Sequence, residues 1–128
     1  MEWIVLLGRF LYSLIFILSG IGHLTQMEMM TQYAQAKGLP AARAMVVLTG
    51  VVILLGGLGI LLGIYVKLAA LVLFVFLLVA AFTMHAFWKE SDAMAKATEQ
   101  AMFMKNLALA GAALLIFYFG SGPFSLGG

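Results

Sequence analysis

Four apolar segments, residues 4–22, 44–63, 68–87 and 104–120, take up most of the chain. A helix needs about 20 mostly apolar residues to cross the hydrocarbon core of a bilayer. The first three segments meet that length, and Met102 to Met104 extend the fourth toward it. The segments are too long for strands and lack the alternation of a barrel. The expected fold is all-α: an integral membrane four-helix bundle in a single domain over residues 1–128. Composition agrees with this. Hydrophobic residues make up 65% of the 128 and charged residues 9%, against about 25% charged in soluble domains. So few charges cannot cover a water-facing surface, which excludes a soluble domain, a disordered chain and a nucleic-acid partner. There are no cysteines, which removes disulfides, thiolate metal sites, iron–sulfur clusters and dithiol relays. No metal site and no intrinsic cofactor are expected.

The first segment opens with Glu2 rather than a basic stretch and has no small-residue cleavage site behind it, so it reads as a retained helix. Spans two and three are joined only by residues 64–67, which makes them an antiparallel hairpin. Thr25-Gln26-Met27-Glu28 reads as a capping box. It predicts a short interfacial helix with Met27, Met30 and Ala34 on one face, ended by Gly38 and Pro40. Ser91 and Asp92 read as the cap and first turn of a helix that runs on into the fourth span. The two longer connections carry Lys37, Arg43, Lys89, Lys96 and Lys105, whereas the opposite side has Lys67 and Arg9. The positive-inside rule then puts the longer connections in the cytoplasm and both termini outside.

Polar groups inside the spans are few. Arg9, Ser13, Phe16, Gly20 and His23 follow one another at steps of four and three, the repeat of one helix face. Such a stripe faces the bundle interior, because an unsatisfied polar group in lipid is costly. Arg9 is open to two structural readings. It is an interfacial anchor, or it holds the C-terminal tail around Ser125 at the outer end of the bundle. Gly59 and Gly63, spaced as G-x-x-x-G, serve close packing inside the bundle or a contact between two copies of the chain. His23, His85, Trp88, Lys105 and Asn106 lie at the same end of spans one, three and four. Imidazoles, an ammonium and an amide near one point can hold a carbonyl or move a proton. These five are the candidate ligand-binding residues, with a quinone headgroup as the candidate ligand; ordinary interface anchoring is the alternative. Catalytic residues are not identifiable.

Several segments resemble the DoxX/DoxD-like family of small four-helix bacterial membrane proteins. They are Gly8-Arg9-Phe10, Phe16 to Gly20, Lys37-Gly38-Leu39-Pro40, the glycine run from Gly56 to Gly63, His85 to Trp88, Phe103 to Gly111 and Gly120 to Leu126. Three positions depart from the family pattern. Ile53 stands where the family usually has a glutamate, His23 where members often have a lysine, and Gly127 where the tail usually has an aspartate. The resemblance implies a multi-pass protein of the bacterial inner membrane, acting as subunit or anchor of a quinone- or thiol/sulfur-linked redox system. Its partners would be the lipid bilayer, a soluble redox protein and a second copy of the chain. A structural or partner-binding membrane protein is the second expectation. A proton-coupled transporter is disfavoured, since no Asp or Glu lies within the four apolar segments.

The orientation is checked by fusions at Gly128. An alkaline phosphatase fusion is expected to be active and a green fluorescent fusion dark; a fluorescent fusion overturns the assignment.

Overall fold

The computed structural model describes residues 2–127, and Met1 and Gly128, the ends of the expected domain, lie outside the described residues. Its helices are α1 (Glu2–Thr25), α2 (Met27–Ala36), α3 (Ala42–Leu62), α4 (Val66–Met84) and α5 (Ala93–Phe119), with a 3₁₀ turn at Phe87–Lys89. All but α2 are long and apolar enough to cross a membrane. The four-helix membrane bundle with a short helix after its first span is therefore the observed architecture. Helix α1 packs mainly on α3 and α4 mainly on α5, and the two pairs meet along α3 and α4. Phe16, Ile53, Ile60, Leu73, Leu77 and Ala110 form the core between them.

The α1 stripe faces inward as expected, with Arg9, Ser13, Phe16 and Gly20 buried. Lipid tails are as apolar as leucine, so close contact rather than water exclusion holds such helices together. Glycines allow that contact. A Cβ on Gly20 would lie 2.9 Å from the Gly50 carbonyl, and one on Gly50 would lie 2.6 Å from the His23 Cβ. The crossing of α1 and α3 is thus set by small residues, and His23 lies directly against α3. Tyr12 ties the two pairs together by donating to the Leu109 carbonyl on α5 at 2.7 Å.

Several local expectations need correction. Thr25 does not cap α2. Its hydroxyl donates back to the Ile21 carbonyl at 2.9 Å, and Gln26 precedes α2 without a side-chain cap. A threonine inside the last turn of a helix has a nearer partner behind it than ahead. Met27, Met30 and Ala34 do share a face, but that face packs on Ala42, Val46 and Met84 rather than on lipid, so α2 covers one end of the bundle. Helix α4 stops at Met84, short of the expected residue 87, and His85 sits in the break. Asp92, not Ser91, is the cap of α5, accepting from the Ala95 N–H at 2.9 Å.

The opposite end is closed by the tail. The Leu126 and Gly127 N–H groups donate to the Leu62 and Gly63 carbonyls, each at 2.9 Å. Arg9, only 5% exposed, is the reason the tail folds back. Its two terminal nitrogens donate to the carbonyls of Ser121 (2.8 Å), Pro123 (2.9 Å), Phe124 (2.6 Å) and Leu61 (3.4 Å). Arg9 is thus the tail clamp, not a surface anchor. It takes backbone oxygens rather than the Ser125 hydroxyl, and Ser125 instead lies on Gly63, where any Cβ would collide with it. Gly63 adopts φ +72° and closes α3. Gly59 sits 3.0 Å, measured from its would-be Cβ, from the Ile64 carbonyl. Both members of the G-x-x-x-G pair are thus in use within the chain.

Arg9→Ala is expected to lower stability in detergent by on the order of 3 kcal/mol, since hydrogen bonds from a charged donor are worth about 1.5–3 kcal/mol each and are not additive. Arg9→Lys should recover only part, because one ammonium cannot span carbonyls that a guanidinium fork reaches with two nitrogens. A thermal shift of both variants checks this; an unchanged midpoint in Arg9→Ala contradicts the clamp.

Candidate functional site

A cavity of about 240 Å³ lies inside the bundle at the end that α2 covers. Helix α1 supplies Ser19 and His23, α3 supplies Thr49, and α5 supplies Asn106, while Phe16, Ile53 and Leu77 close the deep side. Tyr33 and Met30 of α2 roof it. Val79 and Thr83 also line it, although both are exposed on the outside of α4. The cavity therefore reaches the flank of the bundle at the level of the spans, where lipid lies.

Asn106 is the distinctive group. It is 5% exposed, and among the described residues its carboxamide makes no hydrogen bond. It follows Phe103 and precedes Ala110 and Ala113 on the buried face of α5. A further step of four from Ala113 would put Phe117 on that face, but Phe117 is exposed and Ile116 packs toward the core. Its polar atoms are not sealed off: among the described residues only Arg9 Nε is enclosed without a partner, so the Asn106 carboxamide is open to the cavity. A polar ligand group in the cavity, or water, can take its hydrogen bonds.

His23 is held from the side. Its Nδ1 lies 3.1 Å from the Val46 carbonyl and 3.2 Å from Thr49 Oγ1. His85 also lines the cavity, but its anchor lies away from it: Nδ1 is 3.0 Å from Glu99 Oε2. The same oxygen takes Lys37 Nζ at 3.2 Å, and Lys37 reaches Glu90 at 3.4 Å. Lys37 ends α2, Glu90 follows the 3₁₀ turn and Glu99 is on α5, so one carboxylate joins the covering helix, the break after α4 and the last span. Burial alone would lower the Lys37 pKa. The hydrogen bonds and charges of Glu99 and Glu90, helped by Tyr33, outweigh it and hold the ammonium above its ordinary value. That support is complete below the ordinary lysine value and is lost only as pH rises through the raised one.

Four of the five candidate residues, His23, His85, Lys105 and Asn106, line the one cavity. Lys105 is exposed at its edge, and no hydrogen bond joins it to His85. Trp88 does not line the cavity. It is 49% exposed and stacks edge-on with Phe87 and Phe103, at 5.2 and 5.6 Å between ring centres. The break at His85 turns the chain, so the histidine points in and the tryptophan points along the outside.

The DoxX family model matches residues 4–86. The chain belongs to the DoxX family. Searches of curated proteins and of solved structures return no match. Within this DoxX protein the match covers α1 to α4 and most of the cavity wall, while Lys105 and Asn106 lie beyond it. Ile53, where the resemblance implies a glutamate, is 1% exposed and lines the cavity, so a carboxylate there would face the cavity. Glu99 is not singled out in the sequence reading, and Lys37 only as a loop charge and as part of a family-like segment. Glu99 was legible: residues 99, 103, 106, 110 and 113 step by four and three, so it falls on the buried face two turns ahead of Asn106.

Glu99→Ala is expected to cost about 1.5–3 kcal/mol, because it strands both Lys37 and His85. Glu90→Ala should cost under about 1 kcal/mol, since its contact is longer and more exposed. Thermal melts in one detergent rank the two, and the reverse order contradicts the central role of Glu99.

Proposed function

We propose that this DoxX-family chain serves in the bacterial inner membrane as a membrane subunit or anchor of a redox system, and that its cavity holds the ring of a lipid-soluble quinone. The observation that carries this reading is Asn106: an inward-facing residue whose carboxamide has no protein partner among the described residues and opens onto a cavity that also reaches the lipid-facing side of α4. A ligand arriving from the bilayer needs no aqueous route to reach it. Size is consistent, since a cavity of about 150 Å³ accommodates benzene and this one is about 240 Å³. The walls are mainly apolar with a few placed polar groups, as small-molecule sites are. The amide can give a hydrogen bond to a ring oxygen or take one from it.

The chain has no cysteine and supplies no thiol couple of its own, so a quinone-linked role requires a partner that delivers or takes electrons. The first turns of α5, from Ala93 to Thr98, are largely exposed, with Met94 and Lys96 at the surface. They offer a soluble protein a place to dock beside the covered end of the bundle. That same surface favours a second reading, a partner-binding membrane protein with no ligand of its own.

Protein reconstituted in lipid nanodiscs with menaquinone or ubiquinone, washed and extracted, separates the readings. Wild type is expected to retain quinone, and Asn106→Leu to retain about tenfold less, the worth of one or two hydrogen bonds. The leucine should leave the fold about as stable as wild type, because the amide it replaces has no protein partner among the described residues to lose. Equal retention in the two proteins, or none in either, overturns the quinone reading.

A further inference from the structure

We propose that α2 is a hinged cover over a second, water-side entrance to the cavity, held shut by the contact of Lys37 with Glu99. Such a cover works whatever the cavity holds, so it stands or falls apart from the ligand proposed above.

The roof of the cavity comes from α2 and the connection behind it, through Met30, Tyr33, Ala34 and Leu39. Lys37, Glu90 and Glu99, beside that roof, remain partly exposed. Helix α2 is loosely joined to the spans. One residue, Gln26, links it to α1, with no side-chain cap. Residues 37–41 link it to α3, and two of them hold left-handed backbone: Gly38 at φ +83° and Ala41 at φ +49°. A Cβ on Gly38 would meet nothing within 4 Å, so this connection has room to move. Hinges are a few residues of this kind at the ends of an element.

The packing of α2 is adaptable as well. Its inner face meets the bundle through Met27, Met30 and Met84 around Ala34, Ala42 and Val46. Methionine is unbranched and fills irregular gaps, so these contacts permit more than one position of the helix. Specific attachment therefore falls to polar groups. Among the described residues, the ion pairs of Lys37 with Glu99 at 3.2 Å and Glu90 at 3.4 Å are the only polar side-chain ties between α2 and the rest of the bundle. Lys37 stands at the far end of α2 from Gln26, so hinge and fastening are roughly 16 Å apart at 1.5 Å per residue. The same ammonium lies 5.6 Å from the centre of the Tyr33 ring, which roofs the cavity. Breaking the ion pairs frees the end of the helix and its roofing ring together. The flank at Val79 and Thr83 then serves exchange with lipid, and the α2 end serves exchange with water.

The chain has no cysteine, so one introduced thiol reports a single place. Ser19→Cys puts it on the cavity wall. Ser13→Cys, at a fully buried position one turn from Arg9, is the control. Each protein is embedded in nanodiscs and treated with an anionic, membrane-impermeant methanethiosulfonate, which cannot arrive through lipid. Adding Lys37→Met or Glu99→Gln should raise the labelling rate of Ser19→Cys about tenfold, the worth of one charged hydrogen bond, while Ser13→Cys stays slow. Lys37→Arg, which keeps the charge, should label like the parent. Lys37→Met and Glu99→Gln change the local charge in opposite directions, so a rise in both is not steering of the reagent. Should one of them not fold, a cationic reagent on the other makes the same separation, since the rise must persist with both reagent charges. Unchanged rates, shifts of opposite sign, or an equal rise at Ser13→Cys overturn the cover.

Discussion

A guanidinium enclosed by apolar helices must be met by oxygen, and the arrangement of the whole chain follows from how Arg9 is met. Among the described residues it has no carboxylate partner, and the tail from Ser121 to Phe124 turns back to supply carbonyls. The tail can do so only because Gly63 has no side chain where Ser125 lies. Once Arg9 is fixed, the rotation of α1 is fixed, and with it the face that carries Ser13, Phe16, Gly20 and His23 inward. The position of His23 over Gly50 is thus set four turns away, by the clamp. Arg9 Nε remains buried without a partner, a residual cost of spending both terminal nitrogens on the tail and on Leu61.

The two ends of the bundle answer the same demand differently. At the tail end every stripe group but that nitrogen is satisfied: Ser13 donates to the Phe10 carbonyl at 3.0 Å and Tyr12 to Leu109. At the α2 end the protein stops short. Glu99 and Lys37 knit the surface, but behind them, among the described residues, the Asn106 carboxamide and the Nε2 atoms of the two imidazoles have no protein partner. A purely structural bundle gains nothing from a void beside a buried amide, since dispersion contact is what holds membrane helices together. Function is the more economical account of a cavity placed where the polar groups are unpaired.

The periodic features were legible in the sequence. Four spans, the inward stripe of α1, the methionine face of α2 and the unbroken run of α5 all follow from spacing and the cost of unpaired polar groups, while the tail was one of the readings left open for Arg9. The departures share one cause, competition from a nearer partner. Thr25 had the Ile21 carbonyl one turn behind it, so the capping box did not form. The methionine face of α2 met α3 and Met84 before it met lipid. Trp88 followed His85 closely in sequence, but the helix break between Met84 and Phe87 sent the two side chains to different surfaces. Glu99 was overlooked because it lies ahead of the apolar run, where a charge reads as solvated; its place on the step that leads to Asn106 was the signal.

Ile53 gives the clearest view of what is particular to this chain. It sits on the cavity wall at the position where the resemblance implies a glutamate, and an acid there would present its charge to the cavity. Here the acid beside His85 is Glu99 on α5, which meets its Nδ1 at 3.0 Å and does not line the cavity. Charge is thereby kept at the water-facing end, with Lys37 beside it, and the wall facing the occupant has no anionic side chain. An uncharged ring can be held by neutral donors and acceptors in such a place, whereas an anionic substrate would find only Lys105, at the exposed edge. On the function proposed above, a cavity wall of this kind suits a lipid-soluble ring without formal charge.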